Sequence, residues 1–226
     1  MEEKNNLTAE RSLEIIRESI ERSRQLVSKS TGQSLYIAGN CMMAISAIIA
    51  IIIHLTESPL GHLLWFVLPL IIVLTQKYNK QDVNAPVSFI GTLVGKTWWT
   101  FATFTLLFFL VTIVWNSVLP RFYSPDLYVV MRMKITPIIV LMMGMTVSIT
   151  GYIIRSRWLV VFGIIAGIGT FVWEWSGIGS GILFRLSGGT PYEIGVRAAI
   201  LPCLTFCLFA FFGLTIPGYM LKRQSL

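Results

Sequence analysis

Long apolar runs alternate with short polar segments along most of this chain. A helix needs about 20 apolar residues to cross a hydrocarbon core about 30 Å thick. Six runs match or approach that length, and they cover residues 34–55, 60–76, 97–118, 135–154, 158–175 and 195–219. The pattern therefore predicts an all-α integral membrane protein that folds as a six-helix bundle.

The first 32 residues differ, because apolar positions recur there every three or four residues between charged ones. Leu13, Ile16, Ile20 and Val27 fall on one face, which predicts a cytoplasmic amphipathic helix. Charges of both signs cover the other face, whereas a helix that lies on a membrane surface usually has a mainly basic one. We therefore expect this helix to pack on the chain's own cytoplasmic loops, on a second copy in a homo-oligomer, or on a cytoplasmic partner through residues 8–29.

The basic residues predict an orientation. With the N-terminus in the cytoplasm, 13 of the 18 Lys and Arg residues lie on the cytoplasmic side and five on the other. This bias follows the positive-inside rule, and six spans return the C-terminus to the cytoplasm. The predicted organisation is a cytoplasmic amphipathic helix at 1–32, a six-span transmembrane domain at 33–221 and a short cytoplasmic tail at 222–226.

Composition narrows the class of protein. The chain is 54% hydrophobic and 13% charged, whereas a soluble domain carries about 25% charged residues. The net charge of +7 is dispersed between the apolar runs. This dispersal indicates contact with anionic headgroups of a lipid bilayer, and it favours no direct binding of nucleic acid.

No motif for catalysis stands out. The sequence has no His–Glu zinc signature, paired carboxylates or buried Ser–His arrangement for acid–base or nucleophilic chemistry. His54, Glu57 and His62 flank the first outer turn, where they could bind a cation or simply form a polar turn. The three cysteines fall inside predicted spans, where free cysteine packs as a small apolar residue. We therefore expect no enzyme, no metal and no cofactor.

Small residues predict close helix contacts. Gly144 and Ser148 are four apart in the fourth span, and Gly163 and Gly167 are four apart in the fifth. Such residues let two backbones approach closely within lipid. Because only three residues join these spans, the two helices are the expected pair; a seam between two copies of the chain is the alternative.

Each span that enters from the outer side contains a proline, at Pro69, Pro137 and Pro202. Proline removes a backbone donor and tends to kink a helix. Ordinary packing kinks are one interpretation. The other is a channel or carrier for a small solute, because interrupted helices can form transport sites.

Glu174 lies between two tryptophans, roughly 24 Å beyond the cytoplasmic end of the fifth span. An anion is unfavourable at a helix C-terminus, so a structural ion pair is expected. The candidate partners are Arg197, in the first turn of the sixth span, and Arg185 in the preceding loop. The alternative is a solvated acid at the outer interface. The glycine-rich loop after Glu174 is expected to be a flexible or capping loop, or a pore or ligand contact, and residues 182–186 could re-enter the membrane.

The segment "LTAERSLEIIRESIERSRQ", followed at once by apolar spans, resembles a group of small bacterial inner-membrane proteins without assigned chemistry. These proteins share a Leu-Thr-x-Glu-x-Ser-Leu start. The resemblance implies an inner-membrane location and, from the transcription regulators encoded beside some of them, a sensory or regulatory role. The leading hypothesis is a non-enzymatic sensory or interaction protein, with the channel or carrier as the alternative.

Overall fold

The computed structural model describes residues 9–67, 89–122, 134–187 and 191–224, and every regular element within these ranges is helical. The all-α prediction is thus confirmed. The elements in chain order are α1 (Ala9–Thr56), a 3₁₀ helix (Pro59–Phe66), α2 (Phe89–Val118), a 3₁₀ turn (Leu119–Arg121), α3 (Ile135–Ile154), α4 (Arg157–Trp175), α5 (Ile178–Ser187), α6 (Pro191–Phe209), a π-helical segment (Ala210–Thr215) and α7 (Ile216–Gln224).

Five of the described helical stretches are long and apolar enough to cross a membrane: Arg11–Thr56, Phe89–Val118, Ile135–Ile154, Arg157–Trp175 and Ala198–Arg223. They correspond to predicted spans one, three, four, five and six. The second predicted span, residues 60–76, is described only in its first residues, within the 3₁₀ helix, and the rest lies outside the described ranges. The count of six therefore stays a prediction.

The predicted amphipathic helix and the first span form one continuous helix. α1 has 48 residues, a length of about 72 Å at 1.5 Å per residue. The predicted domain boundary at residue 32 falls inside it, with no break. A single glycine there costs helix formation only about 1 kcal/mol, and Gly32 is the one residue with low helix propensity at that point. The segment 9–31 is called the arm below.

The base of the arm packs against α7 with almost no side chain between the two backbones. A Cβ added to Gly32 would lie 2.7 Å from Leu221 Cβ, and one added to Gly218 would lie 2.6 Å from the backbone nitrogen of Tyr36. The Lys222 ammonium lies 5.8 Å from the centre of the Tyr36 ring, within the range of a cation–π contact. The beginning and the end of the described chain therefore meet at one end of the bundle.

Pro217 explains the π-helical segment before α7. A proline ring clashes with the carbonyl four residues earlier and supplies no N–H. The backbone widens ahead of it, so that Ile216 N–H bonds to Phe211 O, five residues back, instead of four. Pro217 itself is buried. The sixth predicted span thus becomes a longer helical run of three pieces, from Pro191 to Gln224.

α3 and α4 form a tight antiparallel hairpin. Arg155 ends α3 in the left-handed conformation at φ 59°, and the Ser156 side chain accepts from Leu159 N–H to begin α4. The structure brings the four small residues together within one chain: a Cβ on Gly144 would lie 2.5 Å from Gly167 Cα, and Gly163 faces Ser148. The Ser148 hydroxyl also lies 3.3 Å from Val160 O across the seam.

Gly144→Ala is expected to lower the melting temperature of the detergent-solubilised protein, because its Cβ would push the α3 and α4 backbones apart. Overpacking of this kind costs about 1–3 kcal/mol. Gly169→Ala is the matched control, since a Cβ there meets nothing within 4 Å. Alanine's better helix propensity should leave that variant as stable as the parent or slightly more so. Equal melting temperatures for the two variants, followed by tryptophan fluorescence, would contradict the close packing.

Candidate functional site

The Glu174 side chain is buried inside the bundle, with 5% of its surface exposed. Its carboxylate faces the hydroxyl groups of Thr136 on α3 and Thr205 on α6, both within hydrogen-bonding reach. The hairpin explains one of these neighbours. Because Gly144 lies opposite Gly167, continuing the antiparallel register by seven or eight residues brings Thr136 level with Glu174.

The cluster is rich in oxygen atoms, and its hydrogen-bond donors are the two threonine hydroxyl groups. The Thr205 hydroxyl has one proton, and it donates this proton to Leu201 O at 3.0 Å. Towards the carboxylate, therefore, Thr205 presents oxygen lone pairs. Glu174 Oε2 is buried and has no hydrogen-bond partner among the described residues. A buried acceptor left unpaired costs about 1–3 kcal/mol, so the cluster can accept a positively charged occupant.

The charge that faces Glu174 comes from Lys134, which precedes the first turn of α3 and has an attractive Coulombic interaction with the carboxylate. Lys134 is itself exposed. Lys134 was not among the predicted partners of Glu174, although the short turn between spans four and five places the start of the first beside the end of the second. The pairing of these two helices across their short turn was therefore the sequence feature that could have identified Lys134.

The two expectations for Glu174 have different outcomes. The solvated acid at the interface is wrong, because the side chain is buried. Arg185 lies exposed on α5, and the described residues contain no ion pair between it and Glu174. Arg197 belongs to a part of α6 whose side chains are not described, so its pairing stays a prediction. Its expected depth is wrong, however: Thr205 lies level with Glu174, and Arg197 is eight residues, or about 12 Å, earlier along α6.

The glycine-rich segment after Glu174 is a helix rather than a flexible loop. Gly177, at φ 75°, ends the turn after α4, and α5 then packs on α4 and α6. Gly179 allows this contact, since a Cβ there would lie 2.6 Å from Trp173 Nε1 and 2.7 Å from Leu201 Cδ1. Residues 182–186, which were candidates for re-entry into the membrane, belong to α5. The capping interpretation of this segment agrees with its packing.

His62 joins the 3₁₀ helix to α6. Its Nε2 lies 2.9 Å from Ala199 O, and its Nδ1 accepts from Trp65 Nε1–H at 3.3 Å. The two bonds assign the proton of the neutral ring to Nε2. Since both nitrogens bond within the protein and His54 is exposed, the His54–Glu57–His62 cation site does not form. Within the described ranges, no three His, Cys, Asp or Glu side chains are grouped to hold a metal ion.

The three prolines expected to kink helices have different surroundings. Pro69 lies outside the described residues. Pro137 is the third residue of α3, where the N–H has no acceptor within the helix, so it does not interrupt that helix. Pro202 lies inside α6, where a lost backbone bond is expected to bend the helix.

A groove of about 540 Å³ lies between the arm and Arg155, at the α3–α4 turn. The predicted partner-binding residues Leu13, Ile16 and Ile20 line it, and they are 66%, 55% and 47% exposed. Val27, the fourth of that set, instead packs half-buried against the core. The apolar stripe of the arm is therefore uncovered except at its base.

Comparison of the chain with family models, curated proteins and solved structures gives no match. The class of protein thus rests on the residues themselves. Long apolar helices that pack into one bundle define a multi-pass α-helical membrane protein. Within that class, two features can carry function: the groove on the arm and the buried cluster around Glu174.

His62→Phe is expected to lower the melting temperature, because Ala199 O and Trp65 Nε1–H would both lose their partner at a half-buried site. Such losses cost about 1–3 kcal/mol per group. His54→Phe is the matched control, as it makes the same change at an exposed position. Thermal unfolding of both variants in one detergent measures the difference. A His62→Phe protein as stable as His54→Phe would contradict a structural role for the two hydrogen bonds.

Proposed function

We propose that this chain is a non-enzymatic membrane protein of sensory or regulatory kind, whose arm binds an acidic amphipathic helix of a cytoplasmic partner. The observation that supports this proposal most directly is the uncovered stripe of Leu13, Ile16 and Ile20 beside an open groove. Apolar side chains spaced by three and four residues are what a helix-in-groove partner contacts. A stripe of this kind left in water is typical of a protein-interaction site.

The charges around the groove favour an acidic partner. Arg17, Arg24 and Arg155 line it, against one carboxylate, Glu21. That carboxylate already bonds to Arg24 at 2.9 Å. An acidic residue beside the apolar stripe of a partner helix would therefore meet Arg17 and Arg155, which form no ion pair with the described acidic residues. Electrostatic complementarity of this kind gives specificity and faster association.

A second copy of the chain fits the same stripe less well. If two arms paired in parallel as a coiled coil along Leu13, Ile16 and Ile20, the flanking Arg17 of one copy would face serine residues of the other. No acid would lie opposite it. The proposal therefore commits to a different protein as the occupant, and self-association becomes an outcome of the test.

The continuity of α1 supports a sensory role. The helix passes from the groove into the bundle without a break, and its base is fixed against α7 by the Gly32 and Gly218 contacts. Movement of the arm on binding would therefore change the contact between α1 and α7. We propose that this contact transmits the state of one side of the membrane to the other.

The proposed organisation has six spans in the inner membrane, with both termini on the cytoplasmic side. The contact between the base of the arm and α7 supports an even number of crossings, because it joins the start of the first span to the end of the last. Five candidate spans lie in the described helices. The sixth crossing of the proposal is the predicted span at 60–76, most of which lies outside the described residues.

Photo-crosslinking in whole cells tests the partner. A photoreactive amino acid at Ile16 is expected to capture an acidic protein, because this position lines the groove. Ile15 is the matched control: it is the same residue type, equally uncovered, and it does not line the groove. A partner captured at position 16 and not at position 15 supports the proposal, and mass spectrometry of the adduct gives its identity and charge.

Two results would contradict this assignment. A covalent dimer of the chain as the product at position 16 would mean that the arm binds a second copy. Capture of lipid alone, or the same products at positions 15 and 16, would mean that the groove is no protein site. Glu18→Lys, which changes an exposed charge outside the groove, should leave the capture at position 16 unchanged.

Labelling with a membrane-impermeant maleimide tests the orientation. In a variant with Cys41, Cys203 and Cys207 replaced, we expect cysteines at Ser19 and Arg223 to react only after the cells are permeabilised. A cysteine at Arg121, in the turn after α2, should react in intact cells. Reaction of the Ser19 and Arg223 positions from opposite sides would mean an odd number of spans and would contradict the six-span organisation.

A further inference from the structure

We propose that the Glu174 cluster is a binding site for a monovalent metal cation of the size of Na⁺. The site consists of the carboxylate of Glu174 and the hydroxyl oxygens of Thr136 and Thr205, at the meeting point of α3, α4 and α6. It lies within the bundle, away from the groove on the arm. The proposal is therefore independent of the partner proposed for that groove.

The inference rests on the oxygen atoms that the site offers as ligands. All three side chains are buried, and the carboxylate oxygen Oε2 has no partner among the described residues. Thr205 gives its only proton to Leu201 O, so it presents oxygen lone pairs to the carboxylate, whereas Thr136 is the hydroxyl that can donate to it. Hard cations without strong covalent preferences bind to such sets of carboxylate and neutral oxygens. Burial of a charged carboxylate in a membrane helix without compensation is costly, and a bound cation removes that cost.

The position in the helix adds a second attraction. Glu174 is the last residue but one of α4, and a helix C-terminus carries a partial negative charge of about half an elementary charge. The end of α4 therefore disfavours the carboxylate alone and favours the carboxylate with a cation. The same reasoning predicted a positive partner from the sequence, but the structure provides a buried oxygen cluster in place of the expected arginine.

The local charge selects a monovalent ion. Glu174 and Lys134 interact at the end of the hairpin away from its turn, and with Glu174 ionised the two side chains together carry no net charge. A monovalent ion thus adds one positive charge to the site, part of which the end of α4 offsets. A divalent ion would add two in a poorly solvated place, where uncompensated charge is expensive. Lys134 also competes with the ion, so we expect weak binding that strengthens when Lys134 is neutralised.

The test is the melting temperature of the full-length protein in detergent, at constant pH and ionic strength, in chloride salts of Na⁺, K⁺ and choline. Ligands that bind only the folded state raise the melting temperature with concentration. We expect Na⁺ to raise it above the value in choline. Glu174→Gln should abolish this difference, whereas Glu18→Gln, which neutralises an exposed carboxylate on the arm, should retain it.

Two further variants keep the result decisive if Glu174→Gln fails to fold. Thr205→Val removes one oxygen with little change of shape and should raise the Na⁺ concentration that gives half of the shift. Lys134→Gln should lower that concentration. Equal melting temperatures of the parent protein in all three salts would overturn the proposal. This is also the result expected if the Arg197 side chain occupies the site. A shift that persists in Glu174→Gln, or stability that responds to pH but not to the cation, would overturn it as well.

Discussion

The contact between α3 and α4 at Gly144 and Gly167 is the constraint on which the part of the bundle around Glu174 depends. Two backbones that approach this closely have only one register, because a shift along the helix would bring side chains into the seam. Seven or eight residues further from the turn, that register places Thr136 beside Glu174. The carboxylate thus owes its buried position to small residues two helical turns away.

Other helical segments pack against the α3–α4 hairpin. Gly213, in the π-helical segment, lies against Ala166 on α4, and α5 closes over Trp173 at the other end. The π-helical segment is needed because Pro217 prevents an ordinary helical bond at that point. It shifts the helical phase between α6 and α7, so that Thr205 faces Glu174 while Gly218 faces α1.

Local sequence patterns were sufficient for the features that depend on one segment at a time. The bounds of α3 and α4 agree with the predicted spans to within one residue, because charged residues stand at their shared turn and Trp175 ends the run. The missed features arise from pairs of distant segments. The Gly32–Gly218 contact joins opposite ends of the chain, and α5 forms in a glycine-rich stretch of low helix propensity because packing on α4 and α6 stabilises it. The environment of Glu174 was misjudged for the same reason: its depth follows from counting residues, whereas its burial depends on α3 and α6.

The same helices that bury Glu174 also connect it to the arm. Ile49 and Ile53, near the C-terminal end of α1, pack in one buried cluster with Cys203, which lies two residues before Thr205 on α6. At its other end, α1 carries the groove. Since packed interiors transmit strain instead of absorbing it, an occupant that draws Thr205 towards Glu174 would also act on the α1–α6 contact. α1, which is 48 residues long, therefore carries the groove at one end and contacts α6 close to Thr205 at the other, and this is the connection that coupling between the two proposed sites would use.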